Sequence, residues 1–267
     1  MKAYAGAVKL RSPEQNFGET TAIAGDYGPM LARMNAAARI LCFSPHPDDT
    51  EFSAGGFLAK AAARGSYIGI TVVSDGRKGS VEEVDEDRLV ETRKREQDRA
   101  AKILGVNKLT WLGFRDSEIP EPRILRPRIM ESIRSFKPDL VITLDPNLPY
   151  EAHLDHVYVG RAVMESVLLH SHPGIGPGTV TSKRPTLALA ATSRPNVIVN
   201  IDTVFPKKIQ SIQAHESQMD SSSYLLDTVR EISALYGKRI GCRYAEPFIA
   251  LTAEEMHMNI FPQFQPE

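Results

Sequence analysis

The feature that most restricts the fold is an alternation of short apolar runs with longer amphipathic ones, from Arg39 to about Leu169. Arg39–Phe43, Tyr67–Val73, Lys108–Leu112 and Leu140–Leu144 each read as a strand. The second and fourth runs are apolar at odd and even positions alike, as a strand covered on both faces requires. Helical stretches lie between them: Phe52–Arg64, about Asp85–Leu104 with Gly105 as its C-cap, and Arg126–Phe136, stopped near Pro138. Another helix runs from His153 to about Leu169, and Pro29–Ala38 forms one before the first strand. This alternation predicts an α/β fold, a Rossmann-like, mostly parallel sheet with helices on both faces. Thr186–Ala191 and Val197–Ile201 read as further strands, Val204–Gln218 and Leu225–Tyr236 as helices, and the last residues as frayed.

Parallel strands share one C-terminal rim, where open α/β sheets bind their ligands. Three polar turns meet there: Ser44–Glu51, Arg115–Ser117 and Asn147–His156. The first, Ser-Pro-His-Pro-Asp-Asp-Thr-Glu, is stiffened by Pro45 and Pro47. It can hold His46 and Asp49 at fixed positions around a metal, and an imidazole with a carboxylate suits zinc. The plainer alternative makes Asp48 or Asp49 the N-cap of the next helix. In the third turn His153 and His156 share a helix face at i, i+3, with Asp155 between them. Two histidines and an aspartate within four residues, at a rim already holding His46 and Asp49, point to one shared metal site at the C-terminal ends of the strands. The first strand runs into His-Pro-Asp-Asp rather than Gly-x-Gly-x-x-Gly, which excludes a dinucleotide-binding turn.

A length of 267 residues does not decide between one domain and two. No linker divides the chain, so residues 39–267 read as a single catalytic domain and 1–38 as an N-terminal extension. A net charge of −1 argues against nucleic acid as a partner. There is no run of 18 apolar residues and no apolar leader in Met1–Leu10, so neither a membrane nor export is expected. Two cysteines make no disulfide framework, and a cytoplasmic location follows. A homo-oligomer is compatible with all of this.

The motifs resemble the LmbE/PIG-L family of zinc-dependent N-acetyl-sugar deacetylases. His46-Pro47-Asp48-Asp49-Thr50-Glu51 is similar to the family's His-Pro-Asp-Asp-x-Glu, and His153-Leu154-Asp155-His156 to its His-Pro-Asp-His, with Leu154 in place of the proline. Arg93, Glu96, Ala100, Leu104 and Gly105 match a third pattern. Arg115-Asp116-Ser117 and Ala245-Glu246-Pro247-Phe248 resemble two more, so the resemblance runs from about Arg39 to about Ala250. It implies one Zn2+ per chain, or another divalent ion, held by His46, Asp49 and His156. It implies Asp48 as general base, His153 stabilising the oxyanion or protonating the amine, and Asp155 orienting His153. Arg93 and Asp116 would contact the sugar, and Glu51 would bond the loop backbone.

Three protein ligands leave zinc an open position for water, whose pKa falls toward about 7. Asp48 would take the proton and His153 share the charge on the tetrahedral oxygen. The amine leaves protonated by Asp48 or His153. The activity implied is removal of acetyl from an N-acetylglucosamine-type sugar or sugar conjugate. The alternatives are an amidase of the same family acting on a thiol conjugate, and a non-catalytic metal- or sugar-binding protein, for which Asp48 and His153 would have no use.

Other features have plainer readings. His215 ends a helix as a surface or dipole-paired histidine. Trp111 belongs to the core rather than to a sugar platform, and the charged run Val81–Arg99 is a solvated face with pairs such as Glu91–Arg95. His170–Pro185 is a loop whose glycines permit hinge motion, and it is long enough to return over the site as a lid that sets specificity. Its Gly174–Gly178 stretch lacks the preceding strand that a phosphate loop needs.

Overall fold

The computed structural model describes residues 28–80, 82–181, 183–219 and 223–257. Helix α1 (Gly28–Ala36) leads into β1 (Arg39–Ser44), α2 (Asp49–Ala63), β2 (Tyr67–Ser74) and α3 (Glu86–Leu104). Then follow β3 (Lys108–Phe114), α4 (Pro122–Phe136), β4 (Leu140–Leu144), α5 (Leu154–Leu169), β5 (Thr186–Ala190) and β6 (Val197–Asn200). The last elements are α6 (Phe205–Gln213), α7 (Glu216–Met219), α8 (Ser223–Arg239) and β7 (Ala245–Leu251). Most of the expected extension 1–38 lies outside the described residues. Its end, α1, packs Met34 into the same core as Ile40.

One seven-stranded sheet carries the order β3-β2-β1-β4-β5-β7-β6. The five strands β1 to β5 are mutually parallel, while β7 runs antiparallel to both β5 and β6. The chain order reverses between β1 and β4, and a crevice opens at the carboxyl ends of strands so placed. Alternate strand residues feed two cores, because successive Cβ atoms point to opposite faces. Ile40, Cys42, Ile68, Ile70, Leu140 and Ile142 pack under α2 and α6. Leu41, Phe43, Val141, Leu187 and Leu189 pack under α4 and α5.

The C-terminal segment is not frayed before Leu251: β7 lies inside the sheet and clamps α2. Buried Glu246 accepts the amides of Gly56 and Phe57 at 2.8 and 2.7 Å and pairs with buried Lys208 at 2.6 Å. Lys208 also donates to the Phe52 carbonyl, and Phe248 sets its ring edge-on to Phe57. Gly56 is required there, since a Cβ would sit 2.7 Å from Ile201 Cδ1. This clamp fixes the helix whose first turn carries Asp49.

Several local expectations change. Helix α4 starts at Pro122 rather than Arg126, with proline where the first turn has no partner for an N–H, and contains Pro127. The Val204–Gln218 stretch breaks at Ala214 into α6 and α7. Strand β3 is an edge, so Trp111 is only half-buried. On α3, Glu91 pairs with Lys94, while Arg95 donates to Thr92.

The loop between α5 and β5 is not a lid. Helix α5 carries the chain from the C-terminal rim back to the opposite one, where Thr186 opens β5 by donating to the Asp139 carbonyl. There the Arg134 guanidinium donates to five carbonyls, those of His170, His172, Ile175, Gly176 and Pro177. Gly176, at φ +69°, packs where any Cβ would strike Met130 Sδ. Both ring nitrogens of His170 face main-chain carbonyls, Nδ1 that of Val167 in the last turn of α5 and Nε2 that of Lys183.

Candidate metal centre

The turn after β1 is held from both sides. Ser44 Oγ donates to the His46 carbonyl and accepts from the Thr50 amide, while the amide and hydroxyl of Ser74, at the end of β2, donate to the Pro45 carbonyl. Asp48 occupies the N-cap position of α2, at φ 105°, yet its carboxylate makes no cap hydrogen bond. Side chains of L-residues seldom adopt that angle, and holding one there costs about 1–3 kcal/mol. Helix α3 supplies the restraint: Gln97 Oε1 accepts the Asp48 amide, and Arg93 donates to the Pro47 carbonyl at 2.6 Å and to Asp48 Oδ2 at 3.1 Å. Asp48 therefore stands at the N-cap position without capping the helix through its side chain, because Arg93 takes the carboxylate.

Three side chains converge at the crevice between β1 and β4. His46 Nδ1 lies 3.2 Å from Asp49 Oδ2 and 3.3 Å from His156 Nε2, which lies 3.5 Å from Asp49 Oδ1. A tetrahedral ion with bonds of 2.0–2.1 Å separates its ligands by about 3.3 Å, so these atoms can hold a divalent cation with little movement. His153 stands beside them, stacked on His156 with ring centroids 4.6 Å apart and as far from His46. His46, His153 and His156 also bring one ligand atom each close enough to share an ion, as do His46, Asp116 and Asp155.

The neighbours of each imidazole orient it for such an ion. Asp155 Oδ2 and Asp116 Oδ1 face His46 Nε2 at 3.1 and 3.3 Å, which places the proton on Nε2 and turns Nδ1 inward. Glu151 Oε2 faces His156 Nδ1 at 3.2 Å and leaves Nε2 inward in the same way. The sequence reading passed over Glu151; its place two residues before His153, on a turn already carrying two candidate ligands, was the available signal.

Asp155 is thus on His46 and the Ser117 amide, not on His153, because α5 turns its first-turn carboxylate toward β1. Arg93 and Asp116, expected at the sugar, are 3% and 4% exposed and are taken up by protein partners. Asp116 accepts the Lys78 amide and the Ser117 hydroxyl besides facing His46. Glu51 is fully buried and accepts from Gln97 rather than from loop amides. His215, read as a surface group, is fully buried beside Glu51.

Burial pushes the Asp48 carboxyl up to about 6, with Arg93 opposing. Burial would raise Asp49 too, but the hydrogen bonds and charge of His46 hold it at about 2. Burial would lower His46, yet Asp116, Asp155 and Asp49 push it up to about 12, so a cation entering the site displaces a proton. Burial and the His46 charge lower His153, which favours its neutral form.

Fold and site together define an α/β protein with a cluster of histidines and carboxylates, able to hold a metal ion, at its switch point. Residues 41–167 match the family model of PIG-L, GlcNAc-PI de-N-acetylase. Diacetylchitobiose deacetylase of Thermococcus kodakarensis is 34% identical over 220 residues, covering 79% of this chain and 82% of the relative. A probable N-acetyl-alpha-D-glucosaminyl L-malate deacetylase 2 of Bacillus anthracis is 30% identical, covering 69% and 83%. The solved structure of N,N'-diacetylchitobiose deacetylase from Pyrococcus horikoshii, in complex with an inhibitor, superposes with a TM-score of 0.81 at 32% identity, covering 88% of this chain and 92% of that one. The chain belongs to the LmbE/PIG-L family.

Proposed function

We propose that this protein is a metal-dependent hydrolase that removes the acetyl group from an N-acetylglucosamine-type sugar. The observation that carries the reading is the convergence of His46, Asp49 and His156 at 3.2–3.5 Å. Zinc suits two imidazoles and a carboxylate best, though other divalent ions accept the same donors. Such an ion supplies Lewis acidity, bringing the pKa of water toward about 7 and polarising the acetyl carbonyl.

The chain's own residues do the rest. Asp48, next to a ligand but paired only with Arg93, accepts the proton of the attacking water. A base with a pKa near neutrality suits that task, and burial gives Asp48 one. His153, favoured in its neutral form and exposed beside His46, donates to the oxygen that gains charge. Asp155, Asp116 and Glu151 hold the two ligand imidazoles in the tautomers that face the ion. Arg93 acts through Asp48 rather than on the sugar. The relatives are deacetylases of diacetylchitobiose and of a glucosaminyl malate, and that supports the substrate class. Among the described residues no helix is long and apolar enough to cross a membrane. Two free cysteines suit a reducing, cytoplasmic setting.

The test is acetate release from N-acetylglucosamine, diacetylchitobiose and an N-acylated thiol conjugate, with bound metal measured by elemental analysis. Release from the acetylated sugars by protein carrying about one ion per chain is expected. Metal-loaded protein that cleaves none of the three would end the proposal, and cleavage of the conjugate alone would favour the amidase.

A further inference from the structure

Beneath the turn after β1 lies a buried polar cluster that the reaction as described leaves unused. The His215 side chain is 0% exposed and neither ring nitrogen has a hydrogen-bond partner. Its Nε2 points at Glu51 Oε2, 3.7 Å away, an oxygen equally buried and without a hydrogen bond. The other Glu51 oxygen accepts from Gln97 Nε2 at 2.8 Å, and Gln97 Oε1 accepts the Asp48 amide at 3.0 Å. Two buried side chains, Glu51 and Gln97, therefore connect His215 to the main chain of the one non-glycine residue in this turn with a positive φ.

An apolar residue would fill the place of His215 without leaving two polar atoms unpaired, a cost of about 1–3 kcal/mol for each. The imidazole also lies against a carboxylate that accepts one hydrogen bond, from Gln97, among the described residues. A donor or positive charge at that spot is what makes a buried Glu51 tolerable. The fold holds His215 there deliberately: Glu96, one turn from Arg93 on α3, accepts the amide and hydroxyl of Ser217 at 2.8 and 2.7 Å. Residues 93, 96 and 97 share one helix face. That face fixes the metal turn at one end and the His215 segment at the other.

We propose that His215 is a positioning residue, holding Glu51 and, through Gln97, the strained main chain of Asp48. The relay rests on the reading of Asp48 as the base. Its tests are His215→Leu, His215→Gln, Gln97→Leu and the double variant His215→Leu/Gln97→Leu, each assayed for bound metal, kcat and KM. His215→Leu keeps its metal, loses about tenfold in kcat, less than the roughly 10²-fold of removing a general base outright, and changes KM by less than about threefold. His215→Gln, which retains a donor, recovers most of kcat. The double variant is no worse than the worse single one, because the relay acts as a unit. Hydrogen exchange in the Pro45–Glu51 segment accelerates in His215→Leu, and this needs no substrate. Should that variant fail to fold, Gln97→Leu breaks the same chain at its middle and carries the same expectations. Wild-type kcat with unchanged exchange in a folded variant, or additive losses in the double one, overturns the relay. An Asp48→Asn variant of full activity would instead overturn the assignment of the base, with the exchange measurement still deciding the relay.

Discussion

The two rims of the sheet are both dense in polar groups, and they use them oppositely. At the rim between α4, β4 and the start of β5, the Arg134 guanidinium spends itself on five backbone carbonyls and closes a loop. At the other, His46, Asp49 and His156 turn nitrogens and oxygens toward one point and are braced from behind by Asp155, Asp116 and Glu151. The first arrangement satisfies backbone and leaves nothing to offer. The second sets like groups close together, which is stable only when a cation or a proton joins them. Polar density alone therefore does not mark a functional site; convergence of unshared acceptors does.

Breaking the convergent rim should have the largest effect. His46→Ala or His156→Ala is expected to lose both bound metal and detectable acetate release, read by elemental analysis and by assay. Full metal content in both variants would remove them from the ligand set. Asp48→Asn should be milder in one respect: metal stays, while kcat falls by about 10²–10⁴-fold. Loss of metal along with activity would move Asp48 among the ligands.

The opposite rim gives the reverse pattern. Arg134→Met should cost about 3 kcal/mol in urea unfolding, since several buried carbonyls lose a charged donor. Its kcat/KM and its preference among N-acetyl substrates should stay within about twofold of the parent, a judgement that this rim is remote from the chemistry. A changed substrate profile would restore the loop to the site.

The smallest effect is on pH dependence. Asp48 must be ionised to act as a base, so activity falls as pH drops through its pKa. Burial raises that pKa and Arg93 opposes the rise, the two together leaving it at about 6. A bound cation lowers it further. Removing the guanidinium in Arg93→Gln should therefore move the acid limb of kcat/KM upward, by about one unit for a lost neighbouring charge. A limb that stays in place or moves down would show that Arg93 does not set the Asp48 charge.

Periodicity and motif spacing made the parallel half of the sheet legible, along with the rim that carries the site and the pair His153 and His156 on one helix face. Strands apolar on both parities can only be buried on both sides, so β1, β2 and β4 announce themselves locally. The same holds for His46-Pro47-Asp48-Asp49, whose neighbours in sequence are its neighbours in space. Contacts that join distant segments were not legible. Nothing near Glu246 reveals that it accepts the Gly56 and Phe57 amides and draws β7 into the sheet. Nothing near His215 reveals Glu51, and the 170–185 loop, long enough to return over the site, stays at the far rim because Arg134 ties down its carbonyls.

The sequence by itself determined which groups stand at the carboxyl rim of the sheet, since residue type and turn stiffness are properties of adjacent residues. Only the tertiary structure decided what each of those groups faces. Asp155 turned to His46, Arg93 to Asp48 and Asp116 away from solvent because α5 packs on β1 and β4 while α3 packs beside α2. In a close-packed interior a side chain's partner is chosen by the elements that meet there, and no local pattern encodes that meeting.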